Sequence, residues 1–134
     1  MQDILANGLN QIYNAIQRRK TKVRINGYSK LLASVLRVLQ KEGYIGTFSI
    51  NDDNTIDVEI YPKLHKCHAI KPRFPIKVTD IDKFVRRYLP TAMQGILILS
   101  SSKPVVSGDK KLYILTHREA LELGVGGILL AYAY

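Results

Sequence analysis

The 134-residue sequence holds a single cysteine, Cys67. One thiol excludes an internal disulfide framework and fits a reducing compartment. No apolar run approaches the roughly 18 residues of a membrane-spanning helix. The N-terminus carries Asp3 and no apolar stretch beside a basic start, so neither a secretory signal nor a transit peptide is expected. Internal repeats and low-complexity tracts are lacking too. Acidic residues are scarce, with 11 Asp plus Glu against 20 Lys plus Arg and a formal net charge of +9. A compact domain with that excess usually meets a polyanion, most often nucleic acid. Apolar residues at 46% and charged residues at 23% are close to globular averages, which argues against wholesale disorder. The expectation is a soluble, basic, intracellular protein.

Frames for catalysis are missing as well. No G-x-S-x-G elbow surrounds any serine. Gly124-Val125-Gly126-Gly127 follows a helical pattern instead of opening one, so it reads as a helix end and tight turn, not a phosphate loop. His65, Cys67 and His68 place three soft-metal ligands close together, but a tetrahedral site needs about four ligands from two segments, and His117 is the only other histidine. A solvated basic loop is expected there, with no metal, no cofactor and no enzymatic activity.

The pattern that is present is α+β. Asp3 to Gln17 spaces Ile4, Leu5, Leu9, Ile12, Tyr13 and Ile16 as a helix does, with Asp3 as N-cap. Val23-Arg24-Ile25 alternates as a strand, Asn26-Gly27 marks a turn, and Ser29 caps a second helix that runs through Glu42 and ends at Gly43. Thr47 to Ile50 and Thr55 to Ile60 alternate with period two around Asn51-Asp52-Asp53-Asn54, a hairpin. Its acidic residues imply that it faces away from a polyanion. Residues 61–75, with three prolines, form the candidate junction. This gives an N-terminal α-β-α-β-β half over residues 1–64 and a C-terminal half over 65–134, a β-sheet with short helices. In that second half Ile76 to Val78 is extended, Thr79 caps a helix that Pro90 stops, and Gly95 to Leu99 reads as a strand covered on both faces. Thr116-His117-Arg118-Glu119 has the capping-box form, and Ile128 to Tyr134 reads as a closing strand.

Two segments have RNA-binding chemistry. Arg18, Arg19, Lys20 and Lys22 crowd the end of the first helix, where phosphates can be met from a fixed scaffold. Ser100, Ser101 and Ser102 with Lys103 directly follow the apolar strand, so hydroxyls and a cation are offered from a rigid edge to ribose hydroxyls and base edges.

The ordered set Ile96-Leu97-Ile98-Leu99-Ser100-Ser101-Ser102-Lys103, Thr116-His117-Arg118-Glu119-Ala120 and Gly124-Val125-Gly126-Gly127, followed by an aromatic apolar end, resembles the universal S-eight family of small-subunit ribosomal proteins. Asp3-Ile4, Asn14, Ser29-Lys30 and Glu42-Gly43-Tyr44-Ile45 extend the resemblance over the whole chain. It implies a structural constituent of the small ribosomal subunit, a primary binder that organises the central domain of its rRNA during assembly, with neighbouring ribosomal proteins as further partners and no membrane or small-molecule substrate. Carried over by position, Ser100, Ser101 and Ser102 match the family's S-T-S loop at the RNA surface, with Lys103, Thr116 and the Gly126-Gly127 turn beside it. Asn14, Lys30 and the Arg18 to Lys22 run match a basic surface that touches a second rRNA segment. The sequence departs from the pattern at Ser101, at Ile128 in place of an acid, at Tyr13, and in an insertion from Pro104 to Leu112 that reads as a peripheral hairpin with Gly108-Asp109 near its tip. These departures point to an organellar version, mitochondrial first, with plastid or bacterial cytoplasm as alternatives. The rival readings are a free RNA-binding translational regulator and a small hydrolase using His117 and a nearby serine.

Overall fold

The computed structural model describes residues 3–91, 93–107 and 110–134; the side chains of residues 72 and 102–112 are outside that description. The chain divides into two compact units, residues 1–69 together with Tyr134, and residues 70–133. The division falls at 69/70 where the sequence suggests 64/65, because Leu64 and Cys67 are buried in the first unit at 2% and 0% exposure.

In the first unit α1 (Ile4–Gln17) leads to β1 (Lys22–Asn26), α2 (Lys30–Lys41), β2 (Ile45–Ile50) and β3 (Thr55–Ile60). The strands form an antiparallel sheet in the order β1-β3-β2. The side chain of Asp3 accepts from the Ala6 amide and that of Ser29 from the Leu32 amide, as their N-cap positions require. Leu5, Leu9 and Ile12 of α1 and Leu32, Leu36 and Leu39 of α2 are buried, as are Ile25, Ile56 and Val58 of the sheet. Each such side chain contributes about 1.5–3 kcal/mol by leaving water.

The two helices end alike. The Tyr44 amide donates to the Leu39 carbonyl and the Gly43 amide to Gln40; the Lys20 amide donates to Ala15 and the Arg19 amide to Ile16. Each is a Schellman motif, whose first residue beyond the cap must be left-handed. Gly43 takes that conformation at φ +82°, and Arg19 takes it at φ +57°.

Residues 61–75 are not simply a junction. From Cys67 the chain is a ten-residue strand, β4 (Cys67–Ile76), entering the second unit. There follow a 3-10 turn (Val78–Asp80), α3 (Ile81–Tyr88), β5 (Ile96–Ser107), β6 (Lys110–Thr116), α4 (His117–Leu123) and β7 (Gly127–Ala133). The sheet order is β4-β7-β5-β6. Thr79 does not cap α3. It lies inside the 3-10 turn, closed by the Asp80 amide on the Lys77 carbonyl, and Asp80 takes the cap position without a side-chain bond. The capping box of α4 forms as its sequence demands, and Gly124 ends that helix at φ +67°. The β5 and β6 strands pair beyond the core, with Val105 opposite Leu112 and Ser107 opposite Lys110, so the insertion is a hairpin; its expected tip, Gly108-Asp109, lies outside the described residues.

Candidate nucleic-acid interface

In the second unit the serines belong to the strand itself. Ile96 to Leu99 are buried on both faces, and Ser100 pairs with Ile114 of β6 and Ile128 of β7. The next β5–β6 pair is Val105 with Leu112, so Ser101 to Pro104 stand opposite Tyr113 alone. A bulge of this kind bends a strand and re-aims its side chains, and bulges concentrate at functional sites. Ser100 is half-buried and Ser101 is 8% exposed. The side chains of Ser102 and Lys103 lie outside the described residues.

Across from this bulge lies a groove of about 430 Å³ lined by Pro75, Ile76, Lys77, Val78, Ser100, Ser101, Gly126, Gly127 and Ile128. Its glycines are not there for a turn. Of the described residues in that segment only Gly124 has positive φ. A Cβ on Gly126 would stand 2.6 Å from the Ile76 carbonyl oxygen, and one on Gly127 would overlap the Ser100 carbonyl. Both are close-approach glycines that let β4, β5 and β7 meet beneath the groove.

Thr116, matched by position to the RNA surface, sits in the cap of α4. It is 1% exposed, and its hydroxyl accepts from the Glu119 amide at 3.3 Å while the Glu119 carboxylate accepts from the Thr116 amide at 3.4 Å. Helix capping consumes the hydroxyl. His117 beside it is 3% exposed, with Nδ1 accepting from the Leu97 amide at 3.1 Å, which places the neutral ring's proton on Nε2. Burial foremost, then the neighbouring Arg118 charge, pushes its pKa down to about 4, with Asp82 opposing.

In the first unit the basic run does not present one surface. Asn14, Arg18 and Lys20 share a depression of about 220 Å³ with Gln11, Ala15 and Val23. Gln11 holds this corner, its side-chain oxygen accepting from the Asn26 amide at 3.1 Å. Lys22 lines a different hollow on the open sheet face, beside Arg24, Asp57 and Glu59. There Arg24 Nε donates to Asp57 Oδ1 at 2.9 Å, so the acidic hairpin neutralises the last cation of the stretch. Arg24 and Asn51 hold the Asp57 carboxyl below its usual range, and the Thr55 hydroxyl does the same for Asp53. Arg19 and Lys30 are exposed, and neither lines these hollows.

The three-ligand segment is not a solvated loop. Cys67 is fully buried with its thiol directed at the Leu9 carbonyl, and burial pushes its pKa up to about 12. His68 packs on Tyr13 with ring centroids 4.5 Å apart. Among the described residues no group of three or more His, Cys, Asp or Glu could hold a metal ion, and no helix is long and apolar enough to cross a membrane.

A sequence profile of ribosomal protein S8 matches residues 3–134. The chain belongs to that family. It is 42% identical to the small ribosomal subunit protein uS8 of Saccharolobus solfataricus over 136 aligned residues, which cover 97% of this chain and 96% of the relative. Within this member of the S8 family, Pro75, Lys77 and Val78 are groove residues that the motifs do not single out, and Ile128, the departure from the family's acid, lines the same groove. Lys77 carries a signal, a cation within the extended segment Ile76 to Val78, but nothing local ties it to Ser100.

Proposed function

We propose that this protein holds one folded segment of small-subunit rRNA between the serine bulge and the Gly126-Gly127 floor of the second unit, and a second segment at the α1 end of the first. Membership of the S8 family makes it a structural constituent of the small ribosomal subunit, in which rRNA binding is the family's role. The observation that carries the site is the groove, where Ser100 and Lys77 flank a floor that admits no side chain. Small hydroxyls and a cation over a tight backbone suit shape recognition of an irregular RNA stem. The finer reading is an early binder that locks the central domain of the rRNA, with ribosomal proteins as neighbours and Pro104 to Leu112 as a peripheral extension.

The chemistry is binding, not catalysis. A hydrolase would need His117 as a base, and its buried Nδ1 is already committed to Leu97. The sequence departures that suggest a mitochondrial ribosome are carried in a chain 42% identical to an archaeal protein over almost all its length, which supports a ribosome of archaeal type instead.

The test is the salt dependence of binding to small-subunit rRNA. With roughly six to ten phosphates neutralised, log affinity should fall with log salt at a slope of about −4 to −8. Sedimentation with small subunits, against its presence only in free RNA complexes, separates the ribosomal reading from a free regulator. A slope near zero would remove the physical basis of both.

A further inference from the structure

We infer that α3 carries an additional RNA-backbone contact, separate from the serine groove, made by Lys83, Arg86 and Arg87. The inference rests on the rRNA-binding reading and adds a surface to it. Ile81 and Val85 bury one side of α3, and Phe84 meets Phe74 of β4 with centroids 5.0 Å apart. That packing leaves Lys83, Arg86 and Arg87 exposed at i, i+3 and i+4, which is one face of a helix. Among the described residues none of the three forms an ion pair; the acids of this segment, Asp80 and Asp82, sit at its start, before the cations.

Cations near a helix C-terminus also complement the helix dipole. That role requires charge alone, and Arg87 has an aromatic neighbour as well. Its guanidinium lies 5.4 Å above the Tyr88 ring, and Tyr88 in turn stacks on Tyr132 of β7 at 5.3 Å and 28°. A guanidinium near an aromatic ring gains a cation–π attraction and keeps the fork of N–H donors that matches phosphate oxygens. Tyr132 lies four residues along β7 from Ile128, which lines the groove, so the two contacts are about 13 Å apart along the strand. A phosphate backbone fits this exposed cationic face, which carries no ion pair among the described residues.

The experiment uses the full chain carrying Lys83→Gln, Arg86→Gln and Arg87→Gln together, bound to intact small-subunit rRNA. All three positions are solvent-exposed and Gln is a good helix former, so circular dichroism and the melting temperature should match the parent. Affinity should fall roughly tenfold and the salt slope become less negative by about 2. A hydroxyl-radical footprint should lose one protected backbone stretch and keep the stretch that Ser100→Ala weakens. Arg87→Lys, which preserves charge and dipole, should lose part of that protection. Parent affinity, slope and footprint in the triple variant would overturn the inference. So would an unchanged footprint with loss of binding to anionic phosphatidylserine vesicles, which would make α3 a membrane face. Failure of the parent itself to bind the rRNA would instead sink the underlying functional reading.

Discussion

His117 offers a direct measurement of how tightly the second unit is built. The folded ring titrates near 4 and the free side chain near 6.5, so the native state binds fewer protons than the unfolded one between those values. Stability is therefore complete above pH 6.5, falls as pH drops through the interval, and levels off below 4. The whole gap amounts to about 3 kcal/mol, and about 2 kcal/mol of it should already be gone at pH 5. The loss has a structural cause: a proton on Nδ1 would face the Leu97 amide that now donates to it. Asp53 and Asp57 also lose native interactions in acid, but their lowered pKa values place that loss at lower pH. The informative variant is His117→Asn, whose side-chain oxygen can accept from Leu97 in place of Nδ1 and does not titrate. Urea unfolding at pH 7.5, 6.5, 5.5 and 5.0 should show the parent losing about 2 kcal/mol more than the variant across that range. Parallel curves for the two proteins would refute the burial argument, whatever their absolute stabilities.

Three further outcomes follow from the geometry. Gly127→Ala forces a methyl into the Ser100 carbonyl, so β5 and β7 must part; we expect a loss of 2 kcal/mol or more in thermal unfolding together with weaker rRNA binding, whereas an unchanged melt would show that the strands are not so close. Thr116→Ala removes the α4 cap and should cost about 1 kcal/mol, with rRNA affinity of the folded protein unchanged; selective loss of affinity at full stability would return Thr116 to the interface. The Cys67 thiol should resist maleimide in the native protein at pH 8 and react on unfolding, and rapid native labelling, read by mass, would contradict its burial.

Features encoded within a few residues were legible in the sequence. The N-caps Asp3 and Ser29, the Thr116–Glu119 box and the left-handed Gly43 and Gly124 are fixed by neighbours three to five positions away, and they form as their residues dictate. What the sequence hid depends on partners far along the chain. Arg24 is withdrawn from the basic run by Asp57, 33 residues later. Gly126 and Gly127 look like a turn until Ile76 and Ser100 approach them, and the serine bulge exists only because β6 skips four residues of β5. Thr116 has a polar side chain at a motif position, yet its exposure is set by the packing around α4. The cations of α3 are legible too, since Lys83, Arg86 and Arg87 have the spacing of one helix face, although they do not form a long charge run.

Arg19 shows where folding and another demand pull apart. At the same step of the same motif the chain places glycine after α2, and at α1 it tolerates an arginine in a conformation that costs an L-residue on the order of 1 kcal/mol. Natural sequences keep such local frustration where a side chain is wanted for something besides stability. The end of α1 is thus a spring held slightly off its rest position, with a cation fixed at its tip. Arg19→Gly should let it relax, raising the melting temperature by a few degrees while subtracting one charge from the proposed RNA contact. A protein optimised for heat and a protein optimised for the ribosome would differ at this residue.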